Sequence, residues 1–173
     1  MVRLENRLGA HYDTWQRIGA NSRVLEWITT GVGIPFIKEP PITHLPPYKL
    51  HGKHRKFAKS EIASLMERGA IEVCQQVPKF VSPIFVVAKK GQGKFRLVTD
   101  LKYLNVYVKQ LKFRCEDFKT TLELIQPADF MICLDLKDCF FHMKVADYYR
   151  DFLAFSFEGV CYRWCVCPFG LSV

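Results

Sequence analysis

The sequence predicts an α+β fold, because helical and hairpin signals occupy different parts of one chain. Apolar residues recur at helical spacing within residues 1–40. Farther along, apolar runs of strand length flank Gly91-Gln92-Gly93 and again Glu158-Gly159, and both short turns are typical of β-hairpins. We therefore expect a helical amino-terminal extension followed by a body rich in β-strands, with helices on one face of its sheet.

The composition is that of a globular chain. Its 173 residues fit one domain or one and a half, and a hydrophobic content of 49% is enough for a core. No apolar run is long enough to span a membrane and the sequence has no apolar signal segment, so we expect a soluble, intracellular protein. The seven cysteines are odd in number, which favours reduced and mostly buried thiols.

Positive charge is concentrated in the middle of the chain. The net charge is +8, and residues 49–112 hold 14 Lys and Arg against 4 Asp and Glu. This local excess favours a polyanionic partner such as nucleic acid. The alternative is a solvated basic face without a partner.

The amino-terminal helices have recognisable ends. Asn21 can cap a helix on its amino-terminal side, and Gly31 can end the same helix. Trp15 and Trp27 lie at helical spacing with other apolar residues, and we interpret them as core anchors.

A proline-rich connector separates these helices from the rest. Five prolines predict an extended chain over residues 35–48, so we divide the sequence into an extension of residues 1–48 and a body of residues 49–173. The densest basic run, residues 51–56, opens the body. It could contact phosphates or be an exposed loop, and the sequence favours neither.

The body begins with a short helix and several strands. Ser60 can cap a helix that Gly69 ends, and residues 70–74 then read as a short strand. Residues 80–90 and 94–100 predict the two arms of the first hairpin.

The first hairpin has a glycine-rich tip and cations on both arms, namely Lys89, Lys90, Lys94 and Arg96. Such a hairpin can fold over a triphosphate, since lysine supplies a point charge and arginine a planar fork for phosphate oxygens. The alternative is an ordinary hairpin with solvated cations.

An apolar run that ends in an acid is the most informative stretch. After a helix that starts near Asp117, the apolar run of residues 130–135 predicts a buried strand that ends at Asp135. A carboxylate there is a natural ligand for a hard divalent cation. Asp138 follows three positions later. The rings of Phe140 and Phe141 can line a site for a flat or sugar-like substrate.

In their order along the chain, these motifs resemble the reverse transcriptases of retroelements. The resemblance is carried by four stretches: residues 81–90, residues 94–105, residues 134–142 and Cys167-Pro168-Phe169-Gly170-Leu171-Ser172. It is closest to DIRS-type tyrosine-recombinase retrotransposons, whose segment before the polymerase core is similar to the stretch through Trp15 and Trp27.

The resemblance implies the fingers and an incomplete palm of a right-hand polymerase, with part of a ferredoxin-like palm sheet. It also implies RNA-directed DNA synthesis with Mg²⁺, on an RNA or DNA primer–template and with dNTP as substrate. Asp135 is then the first catalytic, metal-binding aspartate, and the Leu136 carbonyl is a second metal ligand.

Further roles follow for the nucleotide site. Lys89 and Arg96 resemble the fingers residues that hold the phosphates of the incoming nucleotide. Asp138 and Cys139 would contact the triphosphate through backbone amides, and Phe140 would be the steric gate against a 2′-hydroxyl. The resemblance places the turn of Phe169 and Gly170 beside the nucleotide. It places Asp100 within the fingers, near the template strand.

The sequence departs from the family in two ways. The family usually has Ala at the position of Cys139, often Tyr at that of Phe140, and Leu at that of Cys167. None of these changes threatens the chemistry. The Tyr-x-Asp-Asp aspartates do not occur in these 173 residues. We therefore expect a fragment of a polyprotein that needs the second half of the palm, a thumb and an RNase H or recombinase domain, and that does not polymerise alone.

Two other interpretations stay open. One is a non-enzymatic nucleic-acid-binding domain derived from a retroelement. The other is a zinc site of Cys161, Cys165 and Cys167 with Cys139 or His142, although Cys-x3-Cys-x-Cys is poor zinc spacing and three core thiols explain it better.

Overall fold

The computed structural model describes residues 3–89, 94–110, 117–126 and 128–172. The helices are α1 (Tyr12–Arg17), α2 (Ser22–Thr30), α3 (Gly52–Glu67), α4 (Lys102–Asn105), α5 (Phe118–Leu124) and α6 (Asp147–Arg150), and single 3-10 turns cover Leu4–Asn6, Gly9–His11 and Cys139–His142. The strands are β1 (Thr43–His44), β2 (Ile71–Val73), β3 (Phe80–Ser82), β4 (Ile84–Ala88), β5 (Phe95–Thr99), β6 (Ala154–Phe157) and β7 (Val160–Trp164).

The strands form a mixed five-stranded sheet and a separate hairpin, which confirms the α+β class. The sheet order is β1-β3-β6-β7-β2, in which β3 runs parallel to β1 and β6 while the β6–β7 and β7–β2 pairs are antiparallel. The hairpin consists of β4 and β5. Both predicted hairpins are therefore present, and Glu158-Gly159 turns the second with positive φ at both residues.

Helix α3 covers the sheet and completes the core. Its residues Ala58, Ile62 and Leu65 recur at helical spacing, are buried, and join Phe80 and Phe155 of the sheet in one cluster. Full burial of each large apolar side chain stabilises the fold by about 1.5–3 kcal/mol.

The start of α3 corrects two predictions. The basic run of residues 51–56 lies mostly within the first turns of the helix, so the loop interpretation is wrong. Ser60 does not cap the helix but lies inside it, where its hydroxyl donates to the Phe57 carbonyl at 2.9 Å. The reason is that the apolar spacing of the buried face continues before Ser60, through Ala58. Gly69 ends the helix as predicted, with φ of 69°.

The extension packs on the same core. Leu4 is buried and its amide donates to the Arg68 carbonyl at 2.9 Å, while Val32 pairs with Val145 beside the sheet. Helix α2 has the predicted ends: Asn21 accepts from the Val24 amide at 3.0 Å, and Gly31 follows the last turn. The boundary at residue 48 stays a prediction.

The predicted strand at residues 130–135 is wrong. These residues have no regular secondary structure, and their apolar side chains are exposed, with Phe130 at 99%. A strand must pair its backbone groups with a neighbour, and no described strand runs beside this segment. The preceding helix α5 is present, and Asp117 caps it by accepting from the Thr120 amide at 2.9 Å. Among the described helices, none is long and apolar enough to cross a membrane.

Candidate nucleotide-binding site

The β4–β5 hairpin brings its cations together as the sequence predicts. Ala88 pairs with Phe95, and the Lys89 amide donates to the Lys94 carbonyl at 2.8 Å, so the two lysines face each other across the hairpin. Arg96 lies two residues farther along β5, on the same face as Lys94. Lys90 and the tip, residues 91–93, lie outside the described residues.

A cleft of about 430 Å³ lies between this hairpin and the rest of the body. Lys89, Lys94 and Arg96 line its hairpin wall, and Arg68 and Asp138 line the opposite wall. Four cations and two acids, Glu61 and Asp138, line the cleft, and Arg68 pairs with Asp138. The net positive charge suits an anionic group of several charges.

Phe169 connects the hairpin to the far wall of the cleft. The Arg96 guanidinium carbon lies 5.4 Å from the Phe169 ring centroid, a cation–π contact. The same ring packs edge-on against Phe140 and Phe141, with centroid distances of 5.4 and 5.3 Å. The next residue, Gly170, has φ of 94°, and its carbonyl accepts from the Asn105 amide group at 2.8 Å.

The turn at Asp138 has an unusual backbone. Asp138 has φ of 55°, in the left-handed region, and its carbonyl accepts from the Phe141 amide at 2.8 Å. Its carboxylate lies 2.5 Å from an Arg68 nitrogen. Cys139 and Phe140 follow on the exposed side of this turn.

A second cleft, of about 420 Å³, shares Phe169 with the cationic cleft. Its lining is largely apolar and includes Trp27, Phe140, Met143, Phe169 and Gly170. Trp27 is 38% exposed and Trp15 is only partly buried, so the prediction that both tryptophans anchor the core is wrong. Helix α2 places Trp27 at the site instead.

The predicted site residues thus fall into two groups. The residues expected at the nucleotide lie on two neighbouring clefts: Lys89, Arg96, Asp138 and Phe169 line the cationic one, Phe140, Phe169 and Gly170 line the apolar one, and Cys139 follows Asp138 on its turn. Asp135 and Leu136 are exposed and line neither cleft.

Asp100 directly follows β5 of the hairpin and is hydrogen-bonded through both its backbone and its side chain. Its amide donates to the Pro83 carbonyl at 2.8 Å, and its carboxylate accepts from the Tyr48 hydroxyl at 2.8 Å. This hydrogen bond to a carboxylate raises the pKa of Tyr48.

A sequence model of the family described as reverse transcriptase (RNA-dependent DNA polymerase) matches residues 87–173, half of the chain. The chain belongs to the reverse transcriptase family. The matched range contains Lys89, Lys94, Arg96, the Asp138 turn and the Phe169 turn, whereas Arg68 and the other α3 residues of the cleft lie outside it.

Relatives of this reverse transcriptase chain are parts of long polyproteins. It is 30% identical over 143 residues to a putative enzymatic polyprotein of Cassava vein mosaic virus, covering 78% of this chain and 20% of that protein. It is 31% identical over 120 residues to the retrovirus-related Pol polyprotein from transposon gypsy of Drosophila melanogaster, covering 66% of this chain and 11% of the relative. The chain therefore spans a fifth or less of these two relatives.

The fold is that of a solved reverse transcriptase. The chain resembles a structure of the foamy viral protease–reverse transcriptase in complex with double-stranded DNA, with a TM-score of 0.57 and 20% sequence identity. The likeness covers 83% of this chain and 23% of the other.

Reverse transcriptases generally use a divalent metal, and the described residues do not form a complete site for one. No three His, Cys, Asp or Glu side chains cluster closely enough within the described part of the chain to hold a metal ion. Asp135 offers one exposed carboxylate, and Arg68 already pairs with that of Asp138. A two-metal centre needs more anionic ligands than these.

Two of the three clustered cysteines, Cys165 and Cys167, are core thiols, whereas Cys161 on β7 is only partly buried, and Cys167 also lines the apolar cleft. Cys165 and Cys167 are buried, and burial raises the pKa of each thiol to about 12. Thiols with such a high pKa are poor metal ligands and poor nucleophiles near neutral pH.

Three residues of the site escaped prediction from the sequence. Arg68 looked like an ordinary residue near the end of a helix, and Trp27 matched the spacing of a core residue. Asn105 lay in a recognised stretch but had no assigned role. Arg68 and Asn105 bond to residues 70 and 65 positions away, and Trp27 lines a cleft with residues far along the chain, so local patterns carry no signal for these roles.

Proposed function

We propose that this chain forms the fingers and the first part of the palm of an RNA-directed DNA polymerase, and that the cationic cleft binds the triphosphate of an incoming dNTP. The observation that carries the proposal is the convergence of Lys89, Lys94 and Arg96 on one cleft beside the Asp138 turn. A triphosphate carries several charges, and charge-assisted hydrogen bonds from such cations are the strong ones.

Each residue then has a distinct task. Lys89 and Lys94 neutralise phosphate charge, and Arg96, held over the Phe169 ring, presents a planar fork to phosphate oxygens. The backbone amides of Asp138 and Cys139 supply donors on the opposite side of the cleft. Together these groups bind and orient the nucleotide.

Phe140 is proposed as the steric gate against ribonucleotides. Its ring lines the apolar cleft and contacts edge-on the ring of Phe169, which lines both clefts. A sugar that lies against this ring has no room for a 2′-hydroxyl, so the gate selects dNTP by exclusion. Phe169 and Gly170 would form the turn beside the nucleotide.

Asp135 and the Leu136 carbonyl are proposed as Mg²⁺ ligands in the complete polymerase, with the remaining carboxylates supplied from elsewhere in the longer protein. When bound, the metal would activate the primer 3′-oxygen and stabilise the leaving pyrophosphate. The 173 residues alone are not expected to extend a primer.

The primer–template is proposed to lie along the basic surface of the fingers. Lys53, Lys56 and Lys59 are exposed at helical spacing on α3, and Lys53 contacts the Phe95 ring of the hairpin at 5.5 Å. Contacts of this kind neutralise backbone phosphates without reading sequence, so binding would weaken steeply with salt.

The polyprotein is proposed to be of the DIRS type, with a thumb and an RNase H or recombinase domain beyond the palm. The support is the pattern of the extension, in which Trp27 lines the apolar cleft. A tyrosine recombinase encoded in the same reading frame would agree with this assignment, and an integrase of another class would contradict it.

Nucleotide binding by the purified chain tests the central proposal. We expect dNTP in the presence of Mg²⁺ to bind, and Lys89→Ala or Arg96→Ala to raise Kd about tenfold or more, because each removes a charged hydrogen bond. The matched control Lys79→Ala removes a cation whose partners are Glu39 and the rings of Tyr148 and Phe152, away from the cleft. Equal affinity of all four proteins would contradict the site.

A further inference from the structure

Arg68 is the residue that ties the end of α3 to the Asp138 turn. One of its guanidinium nitrogens lies 2.5 Å from an Asp138 carboxylate oxygen, and its central carbon lies 5.9 Å from the Phe141 ring centroid. Both members of the ion pair are largely shielded, with side-chain exposures of 33% and 27%. The pair is therefore less screened than a bridge between fully exposed side chains.

The Asp138 backbone needs such support. Its φ of 55° and ψ of 39° are left-handed, a conformation that is unfavourable for a residue with a Cβ atom. The Asp138 side chain does not cap the 3-10 turn that follows it. Its carboxylate is instead held by Arg68, while the Asp138 carbonyl accepts from the Phe141 amide.

Arg68 is itself held firmly at the end of α3. Its amide donates to the Ser64 carbonyl at 3.0 Å, and its carbonyl accepts from the Leu4 amide at 2.9 Å. The guanidinium therefore extends from a backbone that is fixed on two sides, by the helix and by the extension. This anchorage lets one side chain define the position of the turn.

We propose that Arg68 is a positioning residue of the nucleotide site. It holds the Asp138 turn in its left-handed conformation, so that the amides of Asp138 and Cys139 stay directed at the triphosphate. The inference rests on the proposed function, because those amides are assigned to the nucleotide there. Lysine is a poor substitute, since it lacks the planar fork that can bind the carboxylate and cover the Phe141 ring together.

The test compares three variants of the chain by amide NMR, before and after titration with dNTP and Mg²⁺. Arg68→Gln removes the ion pair, and Arg68→Lys keeps the charge. Arg55→Gln is the matched control, because it removes another arginine–carboxylate pair of α3, with Glu158, outside the cleft. Thermal unfolding of each variant checks that it folds.

For Arg68→Gln we expect displaced Asp138 and Cys139 amide signals with faster hydrogen exchange, and a Kd for dNTP raised about tenfold. Arg68→Lys should recover only part of both effects, and Arg55→Gln should match the wild type. A folded Arg68→Gln variant with unchanged signals at the turn and unchanged Kd would overturn the inference.

The two proposals fail separately. If the wild-type chain binds no dNTP, the proposed function is wrong, and the free-protein signals of Asp138 and Cys139 still decide whether Arg68 holds the turn. If the wild type binds dNTP and Arg68→Gln binds it equally well, only the role of Arg68 is wrong.

Discussion

Arg150 shows how a single buried cation fixes the extension to the body. It is only 6% exposed, and one of its guanidinium nitrogens lies 3.0 Å from both Glu5 and Asp147. Its Nε donates to the Val145 carbonyl at 3.1 Å. The Glu5 side chain is also buried, and Arg150 is its closer cation, since Arg3 lies 3.5 Å from the other carboxylate oxygen.

We expect Arg150→Ala to lower the free energy of unfolding by about 3 kcal/mol, because it leaves the buried Glu5 carboxylate with only the more distant and more exposed Arg3 as a cation, at 3.5 Å. Urea unfolding measures the loss. Arg55→Ala, which removes an exposed pair with Glu158, should cost less than about 1 kcal/mol. Equal costs for the two variants would contradict the difference in burial on which the prediction depends.

The buried thiols predict how stability depends on alkaline pH. Burial raises the pKa of Cys165 and Cys167 from 9.0 to about 12. Above pH 9.0, the pKa of the unfolded thiols, the unfolded chain has lost these protons while the folded chain keeps them. The free energy of unfolding therefore falls as pH rises from 9.0 toward about 12, and the full contribution of the two thiols to stability is present below pH 9.0. Urea titrations across this window should show a shallower fall for the Cys165→Ala/Cys167→Ala variant, and parallel curves would refute the assignment.

At the scale of elements, the join between α2 and the body depends on Gly31. It has φ of 101°, and a Cβ atom built on it would lie 2.5 Å from the Ala146 backbone nitrogen. The chain passes this point to pair Val32 with Val145. A side chain here would have to displace backbone rather than a flexible neighbour.

Gly31→Ala should therefore lower the free energy of unfolding by about 3 kcal/mol. Gly19→Ala is the matched control, because Gly19 also has positive φ, 88°, with nothing within 4 Å of an added Cβ. It should cost about 1 kcal/mol, from backbone strain alone. Thermal unfolding compares the two, and equal shifts would argue against close packing at Gly31.

The segment of residues 130–136 is a second element whose behaviour differs from its composition. Its side chains are apolar at most positions, yet Ile132 and Leu134 are 85% and 87% exposed. An Ile132→Ser/Leu134→Ser variant should change the free energy of unfolding by less than about 0.5 kcal/mol per site. Leu153→Ala, at a fully buried position, should cost about 2–5 kcal/mol in the same urea assay. Similar costs would mean that the segment is buried.

Across the molecule, local patterns predicted the ends of elements better than they predicted which segments pair as strands. Gly69, Asn21 and Glu158-Gly159 mark element ends through their own backbone chemistry, and each was correctly placed. The run at residues 130–135 carried an equally strong local signal, but a strand also needs a neighbour to accept its hydrogen bonds. No feature of the run itself encodes that neighbour.

The residues of the candidate site also divide into those that local patterns predict and those that only tertiary packing brings to the site. The cations of the hairpin follow from its alternation, so Lys89, Lys94 and Arg96 could be predicted on one cleft. Arg68 and Trp27 reach the site through tertiary packing of α3 and α2. A sequence pattern can therefore predict one wall of the site, and only the fold supplies the other.

The most direct test of the account compares the affinity of the purified chain for dNTP, with Mg²⁺ present, with its affinity for the corresponding deoxynucleoside. We expect the triphosphate to bind at least about a hundredfold more tightly, because several charge-assisted hydrogen bonds act on it. This preference should largely disappear in a Lys89→Ala/Arg96→Ala variant. If the wild type binds both compounds equally, or if the variant keeps the preference, the cationic cleft is not the triphosphate site.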